Sequence, residues 1–420
     1  MVSHVYSKSY IGASAPLAAQ ANLILNGRLL PLIEASMASH QEPHGIDVHS
    51  LFCAAAMDFI TAYCFGAARS TNFIKATAYR AHWQELYATR KAHGFFEQEL
   101  PGLSAALRRY LGLSLTPAFV GAANRELEDW CRHMSDATIE DLQKQQEGSP
   151  SRRRLAVTAN TVNDPVVVRA IIAGLDKEEE YNGAASPIHA TALQRRELTI
   201  ASETIDHVLA GQETTGVALT YLTYHLSLSL DLQRELRSEL LSSSLRPNAK
   251  YAHGGAAIAI PDSRQLDGLP LLHAVVTETV RRYAPAGGPE PRVTPGEGCR
   301  IGSYEGVPGG VRVSASPYNL HRDETVFPDP EKWDYTRWLP KNGVAGATDE
   351  ECLRDVNRYF WGFSSGGRMC LGSNFAIHGL SCPVFLSHFE TALWLMGPWL
   401  ILLTHLRDET HHCGHILELY

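Results

Sequence analysis

Cys370 stands in a loop that reads Phe363-Ser-Ser-Gly366-Gly367-Arg368-Met-Cys370-Leu-Gly372. A lone thiol with glycines on both sides and an arginine two residues before it has a specific chemical use. Glycine lets the backbone approach a flat ligand closely and adopt dihedrals that other residues resist. Amide N–H groups in such a loop can point at the sulfur and favour the thiolate, and the cation of Arg368 is expected to lower the thiol pKa in the same direction. The pattern reads as a thiolate ligand; the alternative is a buried cysteine in a glycine-rich turn.

A second cluster, Ala210-Gly211-Gln212-Glu213-Thr214-Thr215, lies inside a long helical pattern. Glycine there costs about 1 kcal/mol relative to alanine, and Thr214 can bond back to the carbonyl of Ala210 and bend the helix. A bent helix with a small residue is expected to make room for a diatomic ligand, with the acid and the alcohol passing protons. The alternative is an N-cap or a polar patch. A third pattern, Glu278-Thr-Val-Arg281, places opposite charges three residues apart on one helical face. It reads as a buried ion pair beside the apolar run Leu271–Val276, or as a surface pair of little energetic worth.

The elements that must hold these groups are mostly helical. Apolar residues recur at helical spacing over Ile46–Phe65, Phe119–Gln146 and Glu197–Leu241. Polar loops are predicted at 146–163, with the run Arg152, Arg153, Arg154, and at 242–264. After Ala284 proline and glycine become frequent, and short strands are expected at Cys299–Tyr304 and Val311–Ser316 around the turn Pro308-Gly309-Gly310. An ordered meander rich in proline and tryptophan follows at 328–339. The predicted fold class is mainly α with a small β region.

With 420 residues, 45% of them hydrophobic, the chain can bury a large core. A net charge of −8 and the lack of a basic stripe argue against nucleic acid as a partner. The eight cysteines, Cys53, Cys64, Cys131, Cys299, Cys352, Cys370, Cys382 and Cys413, form no Cys-x-x-Cys pair, which fits a reducing compartment. His411, His412, Cys413 and His415 have metal-ligand chemistry but no second half with zinc spacing. The apolar stretch Thr391–Thr404 is short for a membrane span and contains Gly397 and Pro398.

In this order the motifs resemble the cytochrome P450 family: the acid–alcohol pair, Glu-x-x-Arg, an Arg-Trp meander, then the cysteine loop. The segment HRDETVFPDPEKW at 321–333 is similar to fungal members, and the resemblance covers roughly residues 1–378. It implies a P450-like helical fold and a haem b cofactor with Cys370 as the axial thiolate on the iron. Cys370, Arg368, Arg292, Phe363, Gly366 and Gly372 match the haem-binding set, in which Phe363 packs beside the thiolate and the two arginines pair with propionates. Glu213 and Thr214 match the pair that delivers protons to bound dioxygen. Glu278 and Arg281 match a structural ion pair completed by Arg337. The implied activity is insertion of one oxygen atom into a lipophilic small molecule, in fungal secondary metabolism. The resemblance also implies electrons from NADPH through NADPH-cytochrome P450 reductase.

The resemblance also implies two departures. MVSHVYSKSY is similar to the middle of the family's third main helix, so the chain is expected to lack its N-terminal part. Residues 379–420 leave the family pattern as a tail. A truncated, non-catalytic chain that at most binds haem is therefore the alternative reading. Eukaryotic members sit on the endoplasmic reticulum by an N-terminal helix; none is read here, so the chain as given is expected to be soluble or peripheral. The segment Ala78–Phe119 is expected to roof the haem, with Phe95 and Phe96 influencing substrate preference.

Overall fold

The computed structural model describes residues 2–38, 46–147, 161–242, 261, 263–340 and 349–389. Arg152–Arg154, most of the 242–264 loop, the Thr391–Thr404 stretch and the histidine cluster at 411–415 lie outside the described residues. The chain divides into two compact units, one from Met1–Ile33 and Cys53–Glu213, the other from Glu34–Phe52 and Thr214 onward.

The first unit is helical. Helices α1 (Ala15–Ile24), α2 (Val48–Phe65, in this unit from Cys53 on), α3 (Thr77–Ala92), α4 (Phe95–Glu99), α5 (Pro101–Leu111), α6 (Ala118–Glu147) and α7 (Val166–Asn182) follow one another in the chain. A further helix, α8 (Arg196–Ser227), carries its first part here. α2 is the one helix among the described residues long and apolar enough to cross a membrane, and 83% of that stretch is buried inside the protein. A helix apolar on all sides belongs in a core. Its one carboxylate, Asp58, is fully buried and satisfied by Arg28 at 3.1 Å, the Thr71 hydroxyl at 2.8 Å and the Phe73 amide at 2.7 Å. α3 packs on α6 through Trp83 and Trp130, whose rings meet edge to face at 4.5 Å.

In the second unit α8 ends at Ser227, and α9 (Leu230–Ser242) starts anew. The single helical pattern read over Glu197–Leu241 therefore breaks. Ser229 accepts from the Leu232 amide, and Gln233 donates to the Leu226 carbonyl, so each new helix end finds a side-chain partner. α10 (Pro270–Arg282) opens with proline at its first position, and the Glu239 carboxylate accepts from the Leu271 and Leu272 amides.

Two small antiparallel sheets follow. β1 (Glu290–Val293) pairs with β4 (Arg312–Ala315), and β2 (Cys299–Ile301) pairs with β3 (Tyr304–Val307). The run expected as one strand over Cys299–Tyr304 instead folds back on itself at Gly302, which has φ +58°. β1 has no sequence signal of its own, because prolines at 289 and 291 mask it; Pro291 is compatible with a strand that has only one neighbour. A 3-10 turn over Tyr335–Trp338 packs on α10, and α11 (Asp349–Tyr359) precedes the cysteine loop. α12 (Ser373–Phe389) follows that loop and contains Pro383.

Candidate active site

Cys370 lies three residues before the start of α12. Its amide donates to the Phe363 carbonyl at 2.8 Å, which closes the loop into a tight return. The return needs unusual backbone: Gly366 has φ +71°, and Ser364, a residue with a side chain, has φ +59°. Phe363 lies edge-on to Phe360 at 6.3 Å. The Gly372 amide donates toward the sulfur, and the Gly372 carbonyl accepts from Ala376 to begin α12.

Partial desolvation pushes the Cys370 thiol up, and the Gly372 amide works against that shift. The shift is upward, opposite to the lowering expected from Arg368. The arginine sits in the 3-10 turn Gly366–Arg368, exposed, and its guanidinium makes no hydrogen bond or ion pair among the described residues.

Arg292, on β1, is held at 3.5 Å by Glu290 and donates to the Pro291 carbonyl at 2.9 Å. The Ser364 hydroxyl of the cysteine loop donates to that same Glu290 carboxylate. The structure thus links Arg292 to the loop of Phe363, Gly366, Arg368, Cys370 and Gly372 through Ser364 of that loop and Glu290, which no sequence motif marks.

Glu278 and Arg281 are fully buried. Both Glu278 oxygens take 2.8 Å hydrogen bonds from Arg281, from Nε and Nη2. The carboxylate also accepts from the Asp334 amide at 2.8 Å and the Trp338 indole at 2.9 Å, and Arg337 approaches it at 3.5 Å. Arg281 also donates to the carbonyls of His321, from Nη1, and of Pro330 and Lys332, from Nη2. Glu278 and Arg281 are therefore paired and hydrogen-bonded, which is the condition for burying charge. His321 carries the frame to the cysteine loop: its Nε2 accepts from the Trp361 amide at 2.8 Å, and its ring stacks on Phe360.

Glu213 and Thr214 are adjacent on α8, both half-buried. Lys91 of α3 binds both Glu213 oxygens, and the Tyr87 hydroxyl donates to one of them at 3.2 Å. Gln212 accepts from the Trp83 indole at 2.7 Å. Gly211 corrects one expectation. A Cβ there would come within 2.9 Å of Ile60 Cγ1, so the missing side chain lets α8 approach α2 closely. Its smallness is used by helix packing, not left as space for a diatomic ligand. Lys91, Tyr87 and Glu290 are distant in sequence from the groups they hold, and no local motif marks them.

The family model for cytochrome P450 matches residues 173–393, a stretch holding the acid–alcohol pair, the buried ion pair and the cysteine loop. The chain belongs to the cytochrome P450 family. This P450 is of fungal type and has the family's mainly α fold with a small β region. It is similar to cytochrome P450 monooxygenase hkm5 of Aspergillus hancockii, 31% identical over 268 residues, which are 61% of this chain and 46% of that protein. It is similar also to cytochrome P450 monooxygenase avaI of Aspergillus versicolor, 26% identical over 361 residues, 83% of this chain and 71% of that one. Cytochrome P450 monooxygenase orf2 of Aspergillus niger is 33% identical over 185 residues, 44% of this chain and 33% of the relative. The match thus spans less than half the length of hkm5 and of orf2.

The family's cofactor is haem iron, and the loop of this P450 fits it. From Ser365 to Leu371 every residue is exposed, including the apolar Met369 (52%) and Leu371 (40%). A Cβ placed on Gly366, Gly367 or Gly372 would meet nothing within 4 Å. An open glycine surface, apolar neighbours, one thiol and a guanidinium without a partner among the described residues match a flat apolar group with a soft metal and carboxylate edges.

Proposed function

We propose that this P450 is a haem-thiolate monooxygenase that inserts one oxygen atom from O2 into a lipophilic small molecule, in fungal secondary metabolism. Electrons come from NADPH through NADPH-cytochrome P450 reductase at the endoplasmic reticulum membrane. The observation that carries this reading is the open face around Cys370, where a lone thiol, exposed apolar side chains and the exposed Arg368 share one short loop.

When bound, haem supplies the oxygen-activating chemistry. The chain supplies the rest. Cys370 provides the sulfur ligand, and the Gly372 amide stabilises negative charge on it. Arg368 and Arg292 would hold the carboxylates of the haem. Glu213 holds a proton at its carboxylate and the Thr214 hydroxyl relays it; Lys91 and Tyr87 keep that carboxylate in place between transfers. Phe95 and Phe96, exposed on α4 with rings 5.4 Å apart, offer apolar surface to the substrate.

The test is a carbon monoxide difference spectrum of the chain supplied with haem and reduced. The red-shifted Soret band of thiolate ligation, lost in Cys370→Ser, is the expected result. A band of non-thiolate haem alone, or none, would overturn the assignment and favour a non-catalytic chain.

A further inference from the structure

Glu290 occupies a position that the haem reading leaves without a task. It opens β1, two residues before Arg292, so both side chains leave the strand on the same face. Its Oε2 accepts from the Ser364 hydroxyl and, at 3.5 Å, meets Nη2 of Arg292. One carboxylate oxygen therefore serves both the strand arginine and the cysteine loop. The strand itself is anchored. β1 runs in register with β4, Glu290 opposite Ala315 and Arg292 opposite Val313. Just before it, the Gly287 carbonyl accepts from the Ser316 hydroxyl at 2.8 Å and the Tyr318 amide at 3.1 Å.

Ser364 is the strained partner. Its φ of +59° is a conformation that a residue with a side chain adopts at a cost, and it is held there only if its surroundings demand it. The two ends of the loop are fixed elsewhere. The Trp361 amide donates to His321, and the Cys370 amide donates to the Phe363 carbonyl. Among the described residues, the Ser364–Gly366 stretch is then left with the Glu290 contact as its tie to a neighbouring element.

We infer that Glu290 is a positioning residue. Through one carboxylate it sets the direction of Arg292 and the conformation of the cysteine loop at Ser364 together. The inference rests on the haem reading only for its consequence, that the carboxylate-binding arginine and the thiol loop are held in fixed relation. The contact itself exists without cofactor.

Two measurements separate the inference from that reading. In the haem-free chain, hydrogen exchange at the Cys370 amide reports closure of the loop. Glu290→Ala and Ser364→Ala should each speed that exchange roughly tenfold, and the double variant should add nothing further, because both remove the same contact. Glu290→Gln, whose amide oxygen can still accept from Ser364, should restore protection. In the haem-loaded chain, Glu290→Ala should raise the rate of haem transfer to apomyoglobin and the non-thiolate fraction of the carbon monoxide spectrum. Glu290→Gln should keep the thiolate fraction while changing the transfer rate, since only Arg292 has lost its ion pair. Additive exchange effects, or wild-type exchange in Glu290→Ala, would overturn the inference whether or not the chain binds haem. Altered exchange with no thiolate-ligated haem in the wild type would leave the strut standing and remove the haem reading instead.

Discussion

Lys91 Nζ sits 2.8 Å and 3.0 Å from the two carboxylate oxygens of Glu213. The acid of the long helix is therefore clamped by a cation from α3, with the Tyr87 hydroxyl as a third contact. Both partners are partly exposed, so the ion pair itself contributes at most about 1 kcal/mol to stability. Its interest lies in where it holds the carboxylate.

If Glu213 moves protons, removing the carboxylate should cost more than removing its clamp. Glu213→Gln is expected to lower product formation about a hundredfold, the low end of what general acid–base groups contribute, with an unchanged carbon monoxide spectrum. Lys91→Met should stay within about tenfold of the wild type, because the acid survives. Steady-state turnover with reductase and NADPH separates the two. Equal losses would assign the role to the ion pair as a unit.

The buried network around Glu278 predicts an order of stabilities. Arg281→Lys keeps the charge but cannot span both Glu278 oxygens and three backbone carbonyls, so it should cost about 3 kcal/mol through the buried acceptors left unpaired. Arg337→Ala should cost about 1 kcal/mol, since Arg337 lies 3.5 Å from the carboxylate and keeps 11% exposure. Urea denaturation of the two variants gives the comparison directly. A loss in Arg337→Ala as large as that in Arg281→Lys would contradict the geometry.

Stability should also fall with acid through His321. Burial and the neighbouring Arg281 push this histidine down to about 4, and its Nε2 accepts from the Trp361 amide. Protonation would turn that acceptor into a donor facing another donor. The unfolded chain takes up the proton near pH 6.5 and the folded chain only near 4, so stability is complete above about pH 6.5 and declines as pH falls toward 4. The difference corresponds to roughly 3 kcal/mol. His225, pushed down to about 4 by burial and Arg282, titrates over the same window. His321→Gln should therefore flatten part of the decline in unfolding free energy between about pH 7 and 4. An unchanged slope would mean that His321 titrates normally in the folded protein.

The parts of this site legible in the sequence are those whose meaning is local. The cysteine loop declares itself because glycines, arginine and thiol are close neighbours in the chain, and Glu278 with Arg281 because one helical turn brings them together. What stays hidden depends on contacts between distant segments. Trp338 and the Asp334 amide complete the Glu278 site from beyond position 330, and Lys91 reaches Glu213 from another helix. The strand β1 is hidden by its prolines, and the break at Ser229 by an apolar pattern that continues across it. The thiol of Cys370 is instead raised by desolvation, which depends on how the folded loop is surrounded and has no signature in the local motif.

Gly211 offers a test in which two effects of opposite sign compete. Alanine is favoured over glycine inside a helix by about 1 kcal/mol, so a glycine that merely left space would yield a stabilised protein on Gly211→Ala. Here the new Cβ would lie 2.9 Å from Cγ1 and 3.0 Å from Cβ of Ile60, and the second of these atoms cannot move without its backbone. Overpacking of this kind costs about 1–3 kcal/mol. The net expectation is destabilisation, read as a lower thermal midpoint. Ile60→Ala in the same chain should relieve the Cγ1 contact but not the Cβ contact, so it should reduce the penalty of Gly211→Ala without abolishing it. A higher midpoint in Gly211→Ala alone would show that α8 can shift away from α2, and that the glycine is not there for packing.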